Sequence, residues 1–148
     1  MKLNPYLTFN GDCEAAFRFY EQHLGGKIQV ILPFGDTPAC GEIPKEWHDK
    51  VMHACLVIGD NLLMGSDNPP GMQEEKQGYS VAINVDEPAE AERIFGALAE
   101  GGTVRMPLEQ TFWAIRFGMV VDRFGISWMV NCADEQYARQ LASQSAVA

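Results

Sequence analysis

Apolar and polar residues alternate along 5–9, and the period then changes. Cys13, Ala16, Phe17, Tyr20 and Leu24 recur at helical spacing and fall on one face. Asp12 precedes this run, where an N-cap belongs, and Gly25 follows it, where a left-handed C-terminal residue belongs. A strand is predicted over 27–33, and a hairpin over 51–58 and 61–66, turned by Gly59 and Asp60. The same succession then repeats. Tyr79, Val81, Ile83 and Val85 alternate along a strand, Asp86 and Pro88 open a helix, and Ala91, Ile94, Phe95 and Leu98 form its apolar face. Gly101 ends that helix, a strand covers 103–107, and strands over 114–121 and 126–131 are joined through 122–125. A terminal helix is expected over 134–142, with a Ser/Ala-rich tail that frays.

The two successions are copies of one unit. At the offset that superposes Gly25 on Gly101, Glu14 meets Glu90, Ala15 meets Ala91, Phe19 meets Phe95 and Gly26 meets Gly102. The expected fold class is therefore α+β: two βαβββ modules, over about 3–67 and about 78–132, with a C-terminal helix or tail over 133–148, in a single domain. Loops 35–50 and 67–77 are the long ones, and long loops in compact domains tend to carry function or motion.

Strand alternation predicts which side chains leave the core. Ser80, Ala82 and Asn84 point away from the helix side of their strand, and the offset maps them onto Asn4, Tyr6 and Thr8. Met64 and Ser66 in one module, and Ser127, Met129 and Asn131 in the other, join the same outward set. Each sheet, covered by its helix on one side, thus offers a second face of mixed polarity to a ligand or partner.

Composition narrows the classes. With 148 residues, 47% of them hydrophobic, the chain can bury a core of one domain. A net charge of −9 and scattered Lys and Arg argue against a nucleic-acid surface. No apolar run reaches the length of a membrane span, and no signal peptide is read before the first strand. Cys13, Cys40, Cys55 and Cys132 lack any close spacing, so reduced thiols and a cytoplasmic location are expected.

Specific segments carry a family resemblance. They are Pro5-Tyr6-Leu7-Thr8-Phe9, the helix bearing Ala16, Phe17 and Tyr20, His53-Ala54, 110–114, Phe117-Gly118, and 122–131. Together they resemble the vicinal oxygen chelate superfamily, which includes glyoxalase I, bleomycin-resistance proteins and extradiol dioxygenases, and within it the PhnB-like branch. Such sequences have also been labelled methyltransferase-like, but no glycine-rich cofactor loop follows the first strand. The resemblance implies a divalent ion held by His or Glu from the first and last strands of each module. The corresponding positions here fall at Asn4 to Tyr6, Met64, Ser80 and Met129, and none is His, Glu, Asp or Cys. The expectation is a fold member without the usual metal site and with no cofactor, binding a small, partly apolar molecule. The resemblance also implies a homodimer.

The candidate ligand-binding set is Tyr6, Thr8, Met64, Ser80, Met129 and Asn131, with Gln110, Phe112 and Trp113 at the rim. His53, with Cys55 two residues on, reads either as a packed histidine or as a base or metal ligand, and Glu109 is the candidate carboxylate base. His23 and His48 read as surface residues, and Asp60 and Asp122 as turn residues. Two alternatives stay open. One is a metal-dependent lyase, isomerase or dioxygenase with displaced ligands such as His53 and Glu109. The other is a drug-binding resistance protein.

Overall fold

The computed structural model describes residues 1–145, which leaves the end of the Ser/Ala-rich tail outside the described residues. The chain forms two compact units, Met1–Glu75 and Lys76–Ala148. In the first, β1 (Tyr6–Phe9), α1 (Cys13–Leu24), β2 (Lys27–Pro33), β3 (Val51–Ile58) and β4 (Asn61–Asp67) follow in order. In the second, β5 (Val81–Val85), α2 (Pro88–Ala99), β6 (Thr103–Glu109), β7 (Ala114–Val121) and β8 (Ser127–Ala133) repeat that order, and α3 (Glu135–Ser145) follows. The fold is α+β, of two βαβββ modules, as the repeated pattern requires. Each module is a four-stranded sheet, ordered β1-β4-β3-β2 or β5-β8-β7-β6, with its first strand parallel to its last and the other pairs antiparallel.

The helix side of each sheet is the core. In the first unit, Leu7, Phe9, Ala54, Leu56 and Leu63 are buried with Ala16, Phe17 and Tyr20 of α1. Phe17 meets Phe9 and Tyr20 edge-on, with ring centroids 6.2 Å and 6.0 Å apart, a geometry that adds about 0.5–1.5 kcal/mol per pair beyond area burial. Gly65 must lack a side chain, because a Cβ there would stand 2.8 Å from the Leu7 carbonyl oxygen and 2.9 Å from the Phe17 ring. In the second unit Ala91, Ile94, Phe95 and Leu98 of α2 are buried with Val120, Trp128, Val130 and Cys132.

Helix ends depart from expectation in an instructive way. Gly25 does close α1 with φ 74°, a conformation costly for any residue with a Cβ. Asp12 does not cap α1 with its side chain. Asp67, at the end of β4, takes that role: its Oδ1 accepts from the Gly11 and Cys13 N–H groups at 2.8 and 3.0 Å, and its Oδ2 from Val51 N–H at 2.9 Å. Asp86 likewise does not cap α2, whose flanking residue is Glu87 without a side-chain cap bond. Pro88 at the first turn has no N–H, so one fewer donor needs a partner there. At α3 the preceding residue does cap: Asp134 Oδ1 accepts from Gln136 and Tyr137 N–H.

The long connection between β2 and β3 is not structureless. Short 3-10 turns occupy Phe34–Asp36, Pro38–Glu42 and Lys45–Trp47. His48 staples them, its Nε2–H shared between the Cys40 and Ile43 carbonyls at 2.9 and 3.1 Å. That assigns His48 a structural role in the loop and fixes its tautomer.

Three of the four thiols are buried. Burial first, and then the Asp67 charge, push the Cys13 thiol well above its ordinary range, and burial raises Cys132 as well. All four cysteines are free, and Cys40 is the most accessible, the other three being buried. At about pH 8, near an ordinary thiol pKa, a disulfide-exchange reagent is expected to label Cys40 quickly and the other three only after denaturant is added. Rapid labelling of Cys13 in the native protein would contradict this packing.

Candidate functional site

The faces of both sheets away from their helices hold the candidate residues, and strand register orders them into rows. Directly opposed residues on paired strands share a face. In the first unit one row runs Tyr6, Met64, Cys55 and Val30 across β1, β4, β3 and β2. Thr8 lies opposite Ser66, and Leu32 opposite His53. The row is half open to solvent at its ends, with Tyr6 49% and Val30 41% exposed.

Tyr6 and His53 meet across this face. The Tyr6 hydroxyl and His53 Nδ1 are 3.3 Å apart, and the rings stack at 5.9 Å between centroids with 22° between planes. If the phenol donates, His53 carries its proton on Nε2, the nitrogen that Tyr6 does not engage. The sequence suggested His53 as a candidate; its Tyr6 partner, residues away on another strand, was legible only as a shared face.

In the second unit two rows each cross all four strands. Asn84, Asn131, Phe117 and Glu109 form one across β5, β8, β7 and β6. Ala82, Met129, Met119 and Met106 form the next. Ser80 and Ser127 close the far side, their hydroxyls hydrogen-bonded at 2.7 Å. The Asn131 side-chain N–H donates to Asn84 Oδ1 at 3.0 Å, while Asn131 Oδ1 is sealed from solvent with no partner. Met106, Met119 and Phe117 were not among the expected site residues. Period-two alternation puts them on the right face, but bulges in the β6–β7 pairing hide which residue each opposes.

The rim is aromatic. Thr111 closes the turn between β6 and β7, its hydroxyl accepting from Ala114 N–H at 3.1 Å while its own N–H donates to the Ala114 carbonyl. This turn raises Phe112, which is 74% exposed, and sets Trp113 edge-on against it at 4.6 Å. Trp113 in turn meets Phe117 at 5.2 Å, and Phe112 meets Tyr137 of α3 at 5.6 Å. Gln110 is exposed at the start of the turn. Asp122, expected as a turn residue, is one: its Oδ1 accepts from Phe124 and Ile126 N–H. It is also buried, and its Oδ2 accepts from Trp128 Nε1–H at 2.8 Å, a contact the turn pattern alone did not announce.

The site's donors suit some chemistries and not others. Tyr6, Met64, Ser80 and Met129 offer a phenol, two thioethers and a hydroxyl, which do not fit a hard divalent cation. Among the described residues, no three His, Cys, Asp or Glu side chains are grouped to hold a metal ion. His53 and Glu109 stand in different units, each on the helix-free side of its own sheet. No helix among the described residues is long and apolar enough to cross a membrane.

Residues 2–130 match the family model described as Glyoxalase/Bleomycin resistance protein/Dioxygenase superfamily. The chain is 32% identical over 144 residues to protein YjdN of Escherichia coli (strain K12), covering 92% of this chain and 98% of that one. It is 56% identical to the crystal structure of protein PA1353 from Pseudomonas aeruginosa, covering 90% and 98% of the two chains with a TM-score of 0.83. A Bacillus cereus structure described as a putative 3-demethylubiquinone-9 3-methyltransferase, PhnB protein, shares the fold at 24% identity and a TM-score of 0.72, over 90% of this chain and all (100%) of that one.

Proposed function

The chain belongs to the glyoxalase/bleomycin resistance protein/dioxygenase superfamily, and within that family we propose that it binds a small, partly apolar molecule on its helix-free sheet faces without the hard-ligand metal site. The observation that carries this reading is the Met129, Met119 and Met106 row lying between a side-chain amide pair and a serine pair. Methionine is flexible and polarisable, so it lines surfaces that adapt to an apolar guest. The flanking polar pairs give such a guest orientation. Thioethers at Met64 and Met129 stand where the resemblance places hard ligands, which favours apolar contact over oxygen chelation. The exposed apolar residues Tyr6, Val30 and Met106 also support pairing of two chains into a homodimer, read by light scattering.

The test is mass spectrometry of small molecules released from protein purified without chelator, together with elemental analysis. A stoichiometric organic ligand with little divalent metal is expected. Stoichiometric metal and no organic ligand would overturn the reading. A second reading, a metal-dependent lyase, isomerase or dioxygenase using His53 and Glu109, draws on the Tyr6–His53 pair. Bound metal that disappears in His53→Ala or in Glu109→Ala would establish it instead. The drug-binding resistance alternative is read by survival of a sensitive host expressing the protein.

A further inference from the structure

We propose, resting on the ligand-binding reading above, that the second unit's sheet face selects a planar, conjugated molecule that donates an N–H or O–H hydrogen bond to Asn131 Oδ1. Asn131 sits opposite Asn84 on one side and Phe117 on the other. Its N–H is committed to Asn84 Oδ1 at 3.0 Å. Its oxygen is sealed from water and accepts nothing. A buried acceptor left unpaired loses its hydration with nothing in exchange, and folded proteins rarely leave one so without a reason. A guest that supplies a donor removes that cost. A guest with only acceptors cannot.

The surroundings define the rest of the guest. Phe117 and Trp113 meet edge-on at 5.2 Å with 66° between planes, forming an angled aromatic wall beside Asn131. Met129 is two residues from Asn131 on β8 and shares its face, and Met119 opposes Met129. Rings and thioethers together favour a flat conjugated body, through stacking, edge contacts and sulfur–aromatic contacts. Glu109 opposes Phe117 at the end of the row, which disfavours an anionic guest. The matching chemistry is a neutral ring system with a peripheral donor, such as a phenol or a lactam. Because the oxygen is sealed, such a guest displaces the side chains that cover it.

The experiment uses the full chain with methyl-labelled methionine and two probes of similar size, 2-naphthol and 2-methoxynaphthalene, which differ in the hydrogen-bond donor. Both are expected to move the Met119 and Met129 methyl resonances, with 2-naphthol binding about tenfold tighter. Asn131→Leu is expected to abolish that preference while 2-methoxynaphthalene still binds. Equal binding of the two probes to the unmodified chain, or a preference that survives Asn131→Leu, overturns the donor inference and leaves the ligand-binding face standing. If neither probe moves any methionine methyl of the unmodified chain, both the inference and the binding face fall. The comparison of probes on the unmodified chain decides the matter even where Asn131→Leu does not fold.

Discussion

Asp67→Ala is expected to lower unfolding stability by about 4 kcal/mol, seen as a large drop in the urea midpoint with the slope unchanged. The carboxylate is buried and accepts from three backbone N–H groups, those of Gly11, Cys13 and Val51. Each bond to a charged acceptor is worth about 1.5–3 kcal/mol, and each buried donor left unmatched costs about 1–3 kcal/mol, with water entry reducing the sum. The loss also uncaps α1, since Asp12 makes no side-chain cap bond. Asp67→Asn keeps one acceptor but turns an N–H toward a backbone donor, so it should recover only part of the stability. A loss under about 1 kcal/mol for the alanine variant would show that solvent replaces the carboxylate, and that the contact is not a latch.

The second large effect is centred on Asp122 and Trp128. Asp122→Ala removes the acceptor for Phe124 and Ile126 N–H and strands the indole N–H of Trp128, whose side chain is 1% exposed. A loss of about 3–4 kcal/mol is expected, by the same accounting for buried donors and charged acceptors. Trp128→Phe should cost about 2 kcal/mol, from lost volume and a carboxylate oxygen deprived of a donor. The informative quantity is the double variant. Because the shared hydrogen bond can be lost only once, the two losses should fall short of additivity by about 1–2 kcal/mol. Strict additivity would mean that the indole and carboxylate do not support one another, and that the burial of Trp128 alone holds this end of β7 and β8.

These two aspartates show where sequence reading reached and where it stopped. The order of strands and helices was legible because apolar residues change period between two and helical spacing, and because Gly25 and Gly101 mark corresponding breaks in both modules. The bounds of β2, β3 and β7 were legible for the same reason. Helix capping was misplaced at Asp12, since a local rule cannot see a carboxylate delivered from the far end of another strand, and at Asp86, since α2 starts at Pro88 with Glu87 before it and no side-chain cap bond. The candidate site was legible as a face, with Tyr6, Thr8 and Met64 outward in one sheet and Ser80, Met129 and Asn131 outward in the other. Its partners were not. Met119 and Met106 join Met129 only through pairing register, and Tyr137 reaches Phe112 only because α3 starts beside Trp113.

What the chain alone determined is the alternation within each element, the repetition of one module, and the chemical character of the side chains turned away from each helix. Those are properties of residues near one another along the backbone, governed by strand and helix period. Tertiary structure alone decided which residues stand opposite each other, which carboxylate satisfies which orphan N–H, and that Asn131 keeps an unpaired oxygen. The physical reason is that strand register, bulges and buried hydrogen bonds depend on how distant segments satisfy one another's backbone and polar groups, and no local periodicity encodes that choice.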